Sequence, residues 1–184
     1  MEEVTVLSSQ WRTVEEALRD HHVRDVLVPG WIDRDGDVPE FRPQPMAVWL
    51  RLDDGLLRFE AVGQSDRLNS ARVPAVGWDD IELLADAEDE VIVASYGEQL
   101  FGDGRDRLCC TRIRAYPAEG AERRCLALDF EGGHTLFLDP TWTFGIRIGN
   151  EIHEKRWVEQ YGEGAGAGAA PVETTVLRGD RGGA

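Results

Sequence analysis

Two stretches of alternating apolar and polar residues, each broken by a glycine turn, constrain the fold of this chain most strongly. They run over residues 48–62, turning at Asp54-Gly55, and over residues 126–138, turning at Gly132-Gly133. Alternation with a period of two sends successive side chains to opposite faces of a strand, and short glycine turns join antiparallel neighbours. The two stretches therefore predict antiparallel hairpins, each with one apolar face.

The first hairpin is expected to turn through the two residues Asp54-Gly55. This register predicts the following apolar pairs: Leu52 with Leu57, Leu50 with Phe59, and Val48 with Ala61. The other face then carries Trp49, Arg51 and Arg58, with the two arginines opposite each other, which is mildly unfavourable.

The second hairpin is expected to turn through a three-residue loop, Glu131-Gly132-Gly133, with Gly133 in the left-handed region. This loop predicts that Leu128 faces Leu136 and that Leu126 faces Leu138. All four leucines then share one face.

Helices are expected near both ends of the chain. Thr13 and Glu16 fit a capping box, and Val14, Ala17 and Leu18 form one apolar face of a short helix that follows a short strand at residues 4–7. Asn150 is expected to cap a final helix through residue 161, although an extended conformation over residues 150–156 remains an alternative.

Together these patterns predict an α+β fold. The expected architecture is a single domain over residues 1–161, with an antiparallel sheet of about five to six strands built from the two hairpins. Residues 162–184 begin with a glycine- and alanine-rich run that buries too little apolar surface to offset its ordering entropy. This segment is predicted to be a disordered tail.

The charge balance of the chain restricts its partners. Thirty-five acidic residues against 20 basic ones give a net charge of −15 over 184 residues. Such a field repels nucleic-acid phosphates and anionic lipid headgroups, so neither nucleic acid nor a membrane is an expected partner. It favours basic proteins or metal cations.

One run of acidic residues is the sharpest charge feature. It contains no base and comprises Asp79, Asp80, Glu82, Asp86, Glu88, Asp89 and Glu90. Such a run is either a solvated surface or a docking surface for a cationic partner, on which arginine–carboxylate pairs would set specificity and the long-range field would raise the association rate.

Trp49, Arg51 and Arg58 could extend that docking surface. Tryptophan and arginine are enriched at interface hot spots, so an exposed Trp49 beside the two arginines would form an interaction patch. Two-layer packing predicts instead that the N-terminal helix covers Trp49.

No motif for catalysis or metal binding has the required residues at the required spacing. Asp33–Asp37 resembles the start of a calcium loop, but Val38 and Gln44 replace the required glycine and glutamate. The zinc motif HExxH, the serine nucleophile elbow, the phosphate loop and the Rossmann glycine pattern do not occur. We therefore predict no catalytic residue, no metal and no cofactor, and the chain is more typical of a non-enzyme.

The expected compartment is the cytoplasm. The N-terminus is acidic where a signal peptide would be basic, and three cysteines, Cys109, Cys110 and Cys125, do not suggest a disulfide framework. Arginine supplies 19 of the 20 basic residues, as is typical of a GC-rich bacterial genome.

The leading functional hypothesis is a non-catalytic, acidic protein that binds a basic protein partner. An immunity protein or antitoxin that neutralises a cationic toxin is one such class. The alternative is a small-molecule-binding or enzymatic domain with a pocket between sheet and helices, using residues such as Arg51, Arg58, Cys109, His134 or His153. A third possibility, a scaffold subunit, predicts a stable oligomer.

Overall fold

Eleven strands and three helices make up the described part of the chain. The computed structural model describes residues 2–62, 67–77, 90–101, 107–117, 123–142, 145–161 and 173–178. The helices are α1 (Glu2–Asp20), α2 (Gly97–Phe101) and α3 (Glu151–Tyr161). Strands of the first sheet are β1 (Val23–Asp33), β2 (Glu40–Pro43), β3 (Ala47–Leu52), β4 (Leu56–Val62), β5 (Arg67–Val73) and β6 (Glu90–Ser95). Strands of the second sheet are β7 (Cys110–Pro117), β8 (Arg123–Phe130), β9 (Thr135–Trp142), β10 (Gly145–Gly149) and β11 (Glu173–Val176).

These strands form two antiparallel sheets, of six and five strands, instead of the single sheet expected. Strand β1 pairs with β2, β3 and β6, and the order in the second sheet is β10-β9-β8-β7-β11. The two predicted leucine faces explain the difference. Leu50 and Leu57 of the first sheet and Leu126 and Leu138 of the second belong to one buried cluster, so each apolar face is buried against the other.

The pairing register of β3 against β4 is shifted by two residues from the predicted one. Leu50 pairs with Leu57 and Val48 with Phe59, and the turn is closed by the Leu52 amide, which donates to the Gly55 carbonyl at 3.0 Å. Arg58 consequently lies opposite Trp49 and not opposite Arg51. A shift of two residues keeps every side chain on its original face, so the predicted apolar face is retained.

Strands β8 and β9 have the register that the leucine pattern predicted. Leu126 pairs with Leu138 and Leu128 with Leu136. The Phe130 amide donates to the His134 carbonyl at 2.8 Å across the three-residue loop. Gly132 and Gly133 both have positive φ, at 84° and 81°, which glycine adopts at little cost.

Helix α1 contributes its apolar face to the cluster between the sheets. Val14, Ala17 and Leu18 are buried there, as their spacing predicted. The helix begins at Glu2, however, so the expected strand at residues 4–7 is wrong and Thr13 lies inside the helix. No glycine or proline precedes Thr13 in the chain to stop the helix.

Helix α3 covers the outer face of the second sheet. Trp157 packs there against Tyr116, Cys125, Ala127 and Phe137. Asn150 caps the helix as predicted, because its Oδ1 accepts from the Ile152 amide at 3.1 Å. Residues 151–161 are therefore helical, which removes the extended alternative.

The predicted disordered tail needs a correction at residues 173–178. Strand β11 pairs with β7 from Glu173 opposite Ala115 to Val176 opposite Arg112. Leu177 packs against the main core cluster. The rest of the expected tail, residues 162–172 and 179–184, lies outside the described residues.

No helix of the described segments combines the length and the apolar composition that spanning a membrane requires.

Candidate functional site

The end of β1 gathers acidic side chains from two separate parts of the chain. Ile32 pairs with Glu90 of β6, and Asp33 pairs with Glu40 of β2. The exposed loop 34–39 continues from the same end of β1. We call this surface the acidic edge and define it by Asp33, Asp35, Asp37, Glu40 and Glu90.

Ion pairs satisfy only part of the acidic edge. Arg34 lies 2.5 Å from Glu90, and Arg42 contacts both Asp33, at 3.0 Å, and Glu40, at 3.2 Å. The backbone amide of Asp35 and the guanidinium of Arg42 hold the pKa of Asp33 below its ordinary value. Five carboxylates thus share two guanidinium groups, and the edge keeps a net negative charge.

Most of the acidic run predicted from the sequence cannot be placed on this edge. Six members, Asp79, Asp80, Glu82, Asp86, Glu88 and Asp89, lie outside the described residues. Glu90 is described, and it is exposed at the start of β6. The rejected calcium-like turn at Asp33–Asp37 and the last residue of the acidic run therefore meet at one end of β1.

Trp49 does not form the exposed patch that was considered with Arg51 and Arg58. It is fully buried, in a cluster with Leu27, Ala47 and Leu56 on the outer face of the first sheet. Helix α1 does not cover it, since α1 packs into the cluster on the opposite face. Arg51 is exposed and lies 3.9 Å from Asp25, and Arg58 lies 3.5 Å from Glu60.

A second feature is a cavity of about 720 Å³ on the outer face of the second sheet, which we call the polar groove. Strands β7 and β8 supply its floor, α3 supplies one wall and the loop 131–134 supplies another. Its charged lining residues are Arg112, Arg114, Asp129, Glu131, Glu151, Glu154, Lys155 and Arg178. Four bases and four acids balance one another there.

Arg114 organises the centre of the polar groove. Its Nε and Nη2 donate to the two carboxylate oxygens of Glu154, each at 2.7 Å, and its Nη1 donates to Asp129. Arg112 donates to the same Asp129 oxygen at 2.6 Å. The Tyr116 hydroxyl donates to Glu154 at 2.6 Å. Bidentate pairs of this kind fix the guanidinium plane.

The network shifts the pKa values of its members. The carboxylate of Glu154 holds the pKa of Arg114 above its ordinary value. Burial, with the same carboxylate, raises the pKa of Tyr116. Burial acts to raise the pKa of Asp129, but hydrogen bonds from Arg114 and Arg112 outweigh it and lower that pKa. The charged forms of Arg114 and Asp129 are therefore stabilised.

The C-terminal segment supplies the remaining wall of the polar groove. Val176 and Arg178 line the cavity. Arg178 donates to the Cys109 Sγ at 2.7 Å and to the Arg19 carbonyl at 2.6 Å. Burial raises the pKa of the Cys109 thiol, although Arg178 acts in the opposite direction.

His22, His134 and His153 lie at separate places in the fold. His22 contacts Asp53, with Nδ1 at 2.8 Å from Oδ2. His134 lines the polar groove, whereas His153 lines a smaller cavity on the other side of α3. In the described segments, no group of three or more His, Cys, Asp or Glu residues is arranged to hold a metal ion.

Comparisons with known proteins give no assignment: the chain matches no protein-family model, no curated protein and no solved structure.

Sequence reasoning missed the residues that organise the polar groove, namely Arg114, Tyr116, Asp129 and Glu154. Glu154 is 40 positions from Arg114 and 38 from Tyr116 along the chain, so no local motif joins them. The only local signal was the position of Asp129, which interrupts the apolar run from Cys125 to Phe130.

Proposed function

We propose that this protein is a non-catalytic binding protein that engages a basic protein partner through the acidic edge. The observation that carries the proposal is the meeting of Glu90 with the Asp33–Glu40 segment at one end of β1. Asp35 and Asp37 have no ion pair with any residue in the described ranges, so their charges remain available to a partner's arginine or lysine side chains. The net charge of −15 extends the attraction over the whole molecule.

A protein that neutralises a cationic toxin is one class consistent with this surface. Charge complementarity at an exposed rim raises the association rate and excludes acidic competitors. Four exposed carboxylates and the partly buried Asp33 would offer positions at which a partner's guanidinium groups could form bidentate pairs.

The test compares two variants that each lose three negative charges. The acidic-edge variant is D35N/D37N/E90Q, and the matched control is D20N/D54N/E159Q, whose residues are exposed elsewhere. Each protein is immobilised, exposed to source-cell lysate and washed at low and then high salt. Retained proteins are identified by mass spectrometry and their affinities are measured by calorimetry.

We expect wild type and control to retain the same basic protein at low salt, with weaker retention at high salt. The acidic-edge variant should bind about tenfold more weakly, because three exposed charges contribute roughly 0.5 kcal/mol each. An equal loss of affinity in the two variants would contradict binding at the acidic edge. It would indicate that only the net charge of the chain attracts the partner.

A second candidate function is small-molecule binding in the polar groove. The volume of about 720 Å³ favours it, because ligand cavities of roughly 300–1,000 Å³ are typical. If no basic protein is retained by the wild type, a native mass spectrum of the purified protein should be searched for a co-purifying ligand.

A further inference from the structure

A smaller cavity of about 200 Å³ lies on the outer face of the second sheet. Helix α3 separates it from the polar groove, because different residues of that helix line the two cavities. We call it the arginine pocket. The residues that matter for its chemistry are Phe137, Asp139, Arg147, Arg156, Trp157 and Tyr161.

Two arginines of this pocket have no carboxylate partner among the described residues. Arg147 lies on β10, with its guanidinium carbon 6.0 Å from the centroid of the Trp142 ring, and Arg156 lies on α3. By contrast, Arg112 and Arg114 on the other side of α3 are both paired with Asp129. Both arginine side chains are exposed, so their guanidinium N–H groups are available to an anion at the cavity.

The one carboxylate in the arginine pocket is already bound by its own strand. Asp139 is 4% exposed, and its Oδ1 accepts from the Thr141 amide at 2.9 Å and from the Thr141 hydroxyl at 2.5 Å. Cys125 Sγ also donates to this oxygen, at 3.5 Å. Two guanidinium groups and one carboxylate leave the pocket with a net positive charge of about one, a local reversal of the sign of the whole molecule.

Aromatic rings form the apolar wall of the pocket. Trp157 lies 6.3 Å from Phe137 and 5.4 Å from Tyr161, measured between ring centroids. Phe137 and Trp157 are buried, whereas Tyr161 is 46% exposed. This wall offers an apolar surface of mutually inclined rings next to the cationic groups.

We propose that the arginine pocket binds a small organic monocarboxylate with an aromatic or aliphatic body. Guanidinium groups bind carboxylates through paired N–H donors, and the aromatic wall buries the body of the ligand. The single net positive charge matches a monoanion better than a phosphate dianion. A cavity of about 200 Å³ is below the usual range for drug-sized ligands and suits a body of about one ring. The proposal is independent of the basic partner proposed above.

The test uses benzoate and benzamide, which share a ring and differ in charge. Binding to the full chain is measured by calorimetry and by tryptophan fluorescence. We expect benzoate to bind at least tenfold more tightly than benzamide. R147Q and R156Q should each weaken benzoate binding at least fivefold, whereas R12Q, which removes an exposed arginine from α1, should leave it unchanged.

A gain of binding provides a second, independent readout. D139N removes the negative charge from the pocket while its amide oxygen can still accept from Thr141, so benzoate binding should strengthen about threefold or more. Misfolding cannot produce such a gain. Equal affinity for benzoate and benzamide, no benzoate binding at about 10 mM, or arginine variants that lose binding without a gain in D139N would each overturn the proposal.

Discussion

Glu154 is the residue on which the polar groove depends most. Its carboxylate accepts from two nitrogens of Arg114 and from the Tyr116 hydroxyl, and the residue is 5% exposed. A buried carboxylate of this kind costs desolvation energy that only its partners offset. Removing it would leave a half-buried guanidinium and a buried hydroxyl without their main acceptor.

We predict that E154A lowers the free energy of unfolding by about 3 kcal/mol, the cost typical of breaking a buried ion pair. E154Q, which keeps an acceptor but not the charge, should cost about half as much. The measurement is urea unfolding at neutral pH followed by tryptophan fluorescence. E159A on the exposed side of the same helix is the control, and a loss in E154A no larger than in E159A would contradict the prediction.

Strand β10 shows how one element is fixed against the other sheet. The Ile146 amide donates to the Pro45 carbonyl at 2.7 Å, which joins the start of β10 to the segment between β2 and β3. Gly145 has a φ of 112°, and a Cβ at this position would lie 2.5 Å from the Pro45 oxygen. The close approach of the two sheets at this point therefore requires glycine.

G145A should cost clearly more stability than G133A, although both glycines have positive φ. A Cβ at Gly133 has no heavy atom within 4 Å, so that substitution carries only backbone strain of about 1 kcal/mol. G145A adds a backbone clash, and we expect a cost of about 3 kcal/mol. Both values come from urea unfolding. Equal costs would show that the sheets separate at Pro45 without penalty.

At the scale of the whole molecule, 35 acidic and 20 basic residues make self-repulsion the dominant long-range force. Salt screens this repulsion, with a Debye length of about 10 Å at 0.1 M. Some described ion pairs are exposed on both sides, as with Arg34–Glu90 and Lys155–Glu151, so screening these pairs costs little.

Raising NaCl from about 20 to about 300 mM should therefore raise the Tm by about 3 °C, the equivalent of roughly 1 kcal/mol. The thermal transition can be followed by circular dichroism. D35N/D37N/E90Q carries three fewer negative charges, and its Tm should rise less over the same range. A Tm that falls with salt would mean that ion pairs outweigh the repulsion.

Some residues of the acidic edge could be identified from the sequence. Glu90 belonged to the predicted acidic run, and the Asp33–Asp37 turn was recognised as acidic. The sequence did not predict that these two segments meet at one end of β1, because the strand pairing that joins them spans 58 residues, from Ile32 to Glu90. The cluster that buries Trp49 was not predicted for a similar reason: helix α1 was expected to cover this side chain, but part of the cluster comes from Val76 and Val93.

The sequence by itself determined which side chains share a face: the leucines of β8 and β9, the apolar face of α1 and the Asn150 cap all follow from local spacing. The tertiary structure alone decided the β3–β4 register, the second sheet, the pairing of β11 and the contacts of Arg114 with Glu154. The physical reason is that alternation has a period of two. It specifies faces but is unchanged by a two-residue shift, and it does not identify which distant surface buries each face.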